Sequence, residues 1–239
     1  MDYEEFTKAI PHERELEMSA AFPALMRKVY IWMAMALVIT GFTAYYVATN
    51  ETLITAIVTN QILFWGLIIA EFGLVIALST AINKLSLTTA TLMFVLYSVI
   101  NGATLSFIFL VYTFSSVANV FFITAGTFAA MALFGYFTKA DLSSMGKILF
   151  MALIGIIIAT IVNFFTKSEG LAMILNYLGV LVFVGLTAYD SQKIKQMLLM
   201  APDAGESAQK IALLGALSLY LDFINLFLYL LRLFGSKRD

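Results

Sequence analysis

The 239-residue chain contains no cysteine, a single histidine and three prolines, and only 12% of its residues are charged. Without Cys, and with His12 alone in a polar N-terminal segment, disulfides, iron–sulfur clusters, thiolate catalysis and zinc sites built on His or Cys are excluded. No G-x-x-x-x-G-K-[ST] or G-x-G-x-x-G segment is present, so ATP-driven transport within this chain is not expected. A formal charge of −1 gives no electrostatic case for a nucleic-acid partner. The chemistry left is that of oxygen: carboxylates, hydroxyls, amides and backbone carbonyls. Neither an enzyme nor a resident cofactor is expected.

What the chain has in excess is apolar surface, at 62% of residues. Soluble domains average roughly 45–50% apolar and about 25% charged, so the solvent for this chain is a lipid bilayer. At about 20 residues per crossing, charge-free stretches place spans near residues 29–48, 62–83, 87–112, 120–136, 148–165, 171–190 and 211–231. The charge-free run from Leu85 to Thr138 is too long for one crossing, and the polar cluster Thr113, Ser115, Ser116, Asn119 divides it. Residues 1–26 read as an acidic, solvated and partly disordered cytoplasmic tail, residues 27–235 as a seven-helix transmembrane domain, and residues 236–239 as a short C-terminal tail. The late, span-length first apolar segment reads as an anchor rather than a cleavable signal.

Basic residues favour a cytoplasmic N-terminus. The inner side would hold Lys8, Arg14, Arg27, Lys28, Lys84, Lys139, Lys147, Lys193, Lys195 and Lys210, against Lys167 in the outer loops. Seven crossings then leave Arg232, Lys237 and Arg238 outside, against the rule, unless the last segment dips in and returns. Small residues four apart, Ser98, Gly102 and Ser106 on span 3 and Gly66, Ala70, Gly73, Ala77 and Ala81 on span 2, read as helix-packing positions.

Three acids lie in or at the edge of spans: Glu71, Asp190 and Asp222. A charge at the bilayer centre costs at least about 2.5–3.5 kcal/mol, so each needs a partner, a proton or a water-filled cavity. Span 7 carries Gly215, Ser218, Asp222, Asn225, Tyr229 and Arg232 at alternating spacings of three and four, which is one helical stripe. Asp190 ends span 6, and alone it reads equally as a functional carboxylate or as an interfacial residue, paired with Lys193 or capping a helix in the connecting loop. The long Ser191–Lys210 loop would let it sit inward beside Asp222 on an antiparallel hairpin. Two carboxylates sharing a site cannot both ionise cheaply. Their charge would be met by a proton at mildly acidic pH and by a divalent cation at higher pH. Calcium suits oxygen-only ligation with 6–8 donors, and Asp190, Asp222, Ser218, Asn225 and backbone carbonyls could contribute. Glu71 reads most simply as the counter-ion of Arg232, in a structural or gating salt bridge.

The segment Ser218-Leu-Tyr-Leu-Asp222-Phe-Ile-Asn225-Leu-Phe-Leu-Tyr-Leu-Leu-Arg232-Leu-Phe-Gly235, preceded by Ala188-Tyr189-Asp190-Ser-Gln-Lys-Ile-Lys195, resembles the signature of the Bax inhibitor-1 (transmembrane Bax inhibitor motif) family. The likeness extends to Met26-Arg27-Lys28-Val29-Tyr30, to Leu87-Thr88-Thr89-Ala90-Thr91 and to Thr138-Lys139-Ala140-Asp141-Leu142-Ser143-Ser144, so it covers residues 26–235. Ala201-Pro202-Asp203 resembles the bacterial branch. The resemblance implies an all-α, seven-transmembrane-helix bundle with the last helix at its centre. It also implies a pH-sensitive calcium leak in which Asp190 and Asp222 form the proton-sensing pair, with Ser218, Asn225 and Tyr229 as supporting polar groups. A monomer in the bacterial inner membrane is the expected state. Some members place an Arg near the inner end of span 2 that latches the span 6 carboxylate; here the positions are Ile82-Asn83-Lys84. Lys84 is the candidate latch, as a point charge without the bidentate fork of Arg.

Two other classes compete. A non-transporting membrane regulator of protein quality control or stress response would use the acidic head and the Ser191–Lys210 loop as contact surfaces. An intramembrane aspartyl protease would use Tyr189-Asp190, but Asp222 follows Leu219-Tyr220-Leu221 rather than Gly-x-Gly. A retinal-type receptor needs a mid-span Lys, and none is present.

Overall fold

A computed structural model describes residues 3–238, with side chains from Leu16 onward. Among the described residues the chain forms nine α-helices: α1 (Tyr3–Thr49), α2 (Glu51–Thr59), α3 (Gln61–Ala81), α4 (Leu87–Leu105), α5 (Ile108–Val111), α6 (Phe114–Phe137), α7 (Ser143–Thr166), α8 (Glu169–Leu199) and α9 (Glu206–Phe234). Seven stretches are long and apolar enough to cross a membrane: Leu16–Thr49, Gln61–Lys84, Leu87–Val111, Phe114–Phe137, Ser143–Thr166, Glu169–Leu199 and Glu206–Phe234. Helix is the form in which a crossing segment satisfies its own backbone polar groups. Boundaries follow local chemistry. The Asn50 side chain caps α2, Asn60 caps α3, Ser86 caps α4, Thr113 caps α6 and Ser168 caps α8, each accepting from first-turn N–H groups. Lys167 ends α7 at φ 52°, the left-handed conformation that stops a helix.

The last helix is central. Of its most apolar window 67% is buried, against 6% for α3 and for α7, and α9 packs against α8, α1, α6 and α4. Leu219, Tyr220 and Leu226 on α9 are fully enclosed, whereas Ile62, Phe164 and Phe165 on the peripheral helices face outward as a lipid-facing belt. The α9 residues that the stripe leaves aside, such as Leu219 and Phe223, therefore meet protein.

Helix ends fall into two sets. At one end Lys28 Nζ donates to Gln209 Oε1 (3.0 Å), the Leu87 amide to Glu206 Oε1 (3.3 Å) and the Leu142 amide to Gln192 Oε1 (2.9 Å). We call this the basic end. At the opposite end the tail after α9 pairs with the α5–α6 turn: the Thr113 amide donates to the Ser236 carbonyl (3.1 Å) and the Arg238 amide to the Val111 carbonyl (2.8 Å). The Ser236 amide also reaches Ser116 Oγ (2.8 Å). Because α9 is continuous, the last segment crosses once and does not dip and return.

Three expectations change here. Helix α1 does not begin near residue 29: it continues back through Pro23, and Met18, Leu25 and Met26 are buried, so residues 16–26 are packed helix rather than solvated tail. The head before Leu16 lies outside the described side chains. The Ser191–Lys210 loop shrinks to residues 200–205, because α8 runs on to Leu199 and α9 starts at Glu206. The extension holds because it packs polar groups onto α6 and the α6–α7 loop: Ser191 Oγ donates to the Ala132 carbonyl (2.8 Å), Gln192 Nε2 to the Ala140 carbonyl (2.8 Å) and Lys195 Nζ to the Tyr136 carbonyl (2.9 Å). In the residual loop, hydrogen bonds from Ser207 and the Gly205 amide hold the Asp203 carboxyl below its ordinary range. Finally, Gly66 and Gly73 on α3 face open space, whereas a Cβ at Gly102 would meet Thr40 and Thr43 of α1. The glycines of span 2 therefore pack no helix, whereas Gly102 of span 3 sits close against α1.

Candidate functional site: an aspartate pair on the central helix

The α8–α9 hairpin sets the register of the site. The space beside Gly215 is filled by Ile194, whose Cγ2 lies 2.9 Å from where a Cβ would stand. Antiparallel packing from that contact sets Asp190 opposite Leu219, with Asp222 one turn farther along, about 4.5 Å at 1.5 Å per residue. Both carboxylates line one cavity of about 690 Å³, together with Ser218, Asn225 and Tyr229. Four of the stripe positions, Ser218, Asp222, Asn225 and Tyr229, thus meet Asp190 across it.

The two acids differ in surroundings. Asp190 is half-buried and Asp222 is buried, and Asp222 Oδ2 is the one buried side-chain oxygen among the described residues with no hydrogen-bond partner. Buried polar atoms are almost always paired, so this oxygen sets Asp222 apart from the other buried polar side chains. Lys193 does not close an ion pair with Asp190; its ammonium lies 5.7 Å from the Tyr189 ring centre. Among the described residues the salt bridge that forms is Lys210–Glu206 (3.0 Å). The cavity wall is shaped by glycine: Gly146 receives the Tyr189 ring and Gly179 the Tyr229 ring, each so closely that a Cβ would collide.

Two sequence expectations fail at the periphery. Lys84, in the single 3₁₀ turn Ile82–Lys84, is exposed and forms no ion pair with Asp190, so it is not a closed latch in this conformation. The direct Glu71–Arg232 salt bridge is also absent. Both residues line a second cavity, of about 750 Å³, but Glu71 is met by neutral donors. Thr104 Oγ1 donates to its Oε1 (2.6 Å) and Asn101 Nδ2 to its Oε2 (3.4 Å), while the Arg232 guanidinium lies over the Tyr229 ring at 5.4 Å. Two hydrogen bonds from α4 satisfy the carboxylate at less cost than reaching across the cavity.

The network behind Glu71 was not legible in the sequence. Tyr220 OH donates to Asn101 Oδ1 (2.9 Å) and shares a 2.6 Å bond with the Thr40 hydroxyl, while Thr40 Oγ1 also reaches the Ser98 carbonyl (2.9 Å). One polar chain therefore joins α3, α4, α9 and α1. Its members are neutral and scattered through apolar runs; only the i, i+3 pair Asn101 and Thr104 gave a faint signal.

Among the described residues, six apolar crossings around a seventh, central one, with two carboxylates facing one cavity in the core, define a multi-pass integral membrane protein organised around buried charge. The chain belongs to the Bax inhibitor-1 family. The family described as "Inhibitor of apoptosis-promoting Bax1" matches residues 23–239. The chain is 52% identical to the inner membrane protein YbhL of Escherichia coli K12 over 220 residues, 92% of this chain and 94% of that one. It is 48% identical to a protein of Borreliella burgdorferi over 214 residues, 90% of this chain and 92% of the other. A membrane protein of Streptococcus pyogenes serotype M1 is 38% identical over 212 residues, 88% of this chain and 91% of that one.

Proposed function

We propose that the protein is a pH-sensitive calcium leak pathway of the bacterial inner membrane, with its N-terminus cytoplasmic and with Asp190 and Asp222 as the proton-sensing, cation-attracting pair. The observation that carries this reading is the partnerless Asp222 oxygen in the cavity it shares with Asp190. A structural carboxylate would have a fixed donor, as Glu71 has; Asp222 keeps an oxygen free for an exchangeable partner. With a proton on the pair, the two carboxyls carry at most one negative charge between them and, with Lys147 and Lys193 also lining the cavity, hold a divalent cation poorly. With both ionised, it presents two carboxylates beside the Ser218 hydroxyl and the Asn225 amide, all oxygen donors of the kind calcium takes.

Calcium uptake into proteoliposomes at pH 6 and pH 8 tests this. Wild type should conduct faster at pH 8, and Asp190→Asn or Asp222→Asn should remove most of the difference. Flux and pH dependence unchanged in both variants would sink the proposal. A non-transporting regulator would show no flux at either pH.

A further inference from the structure

The two cavities are neighbours. That of Glu71 lies among α3, α4 and α9; that of the aspartates lies among α7, α8 and α9. Leu221 and Asn225 line both. On a helix at 100° per residue, Ser218, Leu221, Asn225, Leu228 and Arg232 fall on one side of α9. The first three line the aspartate cavity, and the last four line the Glu71 cavity. A continuous face of the central helix thus runs from one cavity into the other, toward the opposite ends of the bundle, with Leu221 and Asn225 where the cavities meet. At that seam Asn225 Nδ2 donates to the Leu221 carbonyl (2.8 Å), which fixes the amide and leaves its Oδ1 without a hydrogen bond among the described residues.

We propose that Leu221 and Asn225 are the partition between two half-pathways, and that the free amide oxygen of Asn225 is the polar step by which a cation passes from one to the other. Leu221 supplies the apolar barrier and Asn225 the single ligand within it. This rests on the leak reading for the identity of the cargo, but the partition itself is a matter of water access and is tested apart from flux.

Because the chain has no cysteine, single-cysteine variants carry no background. In vesicles of known sidedness, a membrane-impermeant methanethiosulfonate reagent should modify Ser218→Cys from the basic end only. It should modify Leu228→Cys, about 15 Å along the helix, from the opposite end only. Modification of both from one side, of either from both sides, or of neither overturns the partition. In proteoliposomes, Asn225→Leu should lower calcium flux by about tenfold, the scale expected when one polar partner is lost. Asn225→Ser, which keeps an oxygen on a shorter side chain at the seam, should lose less flux than Asn225→Leu, and wild-type elution of both variants by size-exclusion in detergent shows that they are folded. Equal flux in wild type and Asn225→Leu overturns the role of Asn225. A wild type without flux overturns the leak reading, while the labelling pattern still decides the partition.

Discussion

Single residues in this protein divide into those whose polar atoms are matched and those left free. Tyr220 is fully buried and its hydroxyl is matched at both ends, by Asn101 and Thr40. Tyr220→Phe leaves the Asn101 carbonyl oxygen without its donor, and the expected cost is about 1 kcal/mol, near the upper part of the range for side-chain bonds between membrane helices. A thermal or denaturant unfolding series in detergent reads that loss. Asp222 is the contrary case, buried with a free oxygen, and Asp222→Asn should cost little stability or even raise it, because a neutral amide replaces a carboxylate in a protein interior. The same unfolding series checks that opposition. Legibility tracks the same division. An acid inside an apolar run is conspicuous because it is expensive, so Asp190, Asp222 and Glu71 could be read directly. Thr40, Asn101 and Tyr220 are ordinary in a membrane helix, and only folding brings them together. Glu71 was readable as an intramembrane acid, but its partners were not, since spacing says nothing about which of several helices supplies the donors.

At the level of elements, close helix contacts occur where a glycine accepts a ring or a backbone. On α8, Gly179 receives the Tyr229 ring of α9, whereas Gly66 on α3 has nothing within 4 Å of where a Cβ would stand. Gly179→Ala should therefore destabilise by about 1–3 kcal/mol through overpacking, and Gly66→Ala should be neutral or slightly stabilising, since alanine is the better helix former. Their relative melting midpoints separate a glycine that receives a ring from one that faces open space. The C-terminal tail makes a second element-scale contact. Ending the chain after Gly235 removes the hydrogen bonds of Ser236 and Arg238 to the α5–α6 turn and should cost about 1–2 kcal/mol at a water-accessible end, visible as faster amide exchange at Thr113. Span positions were legible because length and apolarity alone fix them. The extension of α8 past Asp190 was not, because Lys193 and Lys195 resemble loop charges until their ring and carbonyl partners are seen.

For the whole molecule, the scarcity of charge shapes everything. A bilayer tolerates few ionised groups, and the exceptions collect on the central helix and the helices beside it. Lys28, Lys84, Lys139, Lys147, Lys193, Lys195 and Lys210 belong to the basic end, while Arg232 lies in the last turn of α9 and Lys237 and Arg238 follow it at the opposite end. Between them α9 carries a polar face past two cavities that meet at Leu221 and Asn225. On the proposed leak reading the aspartates act as one unit, and only together would they exchange a proton for a divalent cation. The most direct test is calcium flux in proteoliposomes at pH 6 and pH 8 for wild type, Asp190→Asn, Asp222→Asn and the double variant. A shared site predicts that wild type is faster at pH 8, that each single variant is nearly pH-independent, and that the double variant adds little to either. Independent, additive effects of the two substitutions, or a pH response that survives in the double variant, would contradict it.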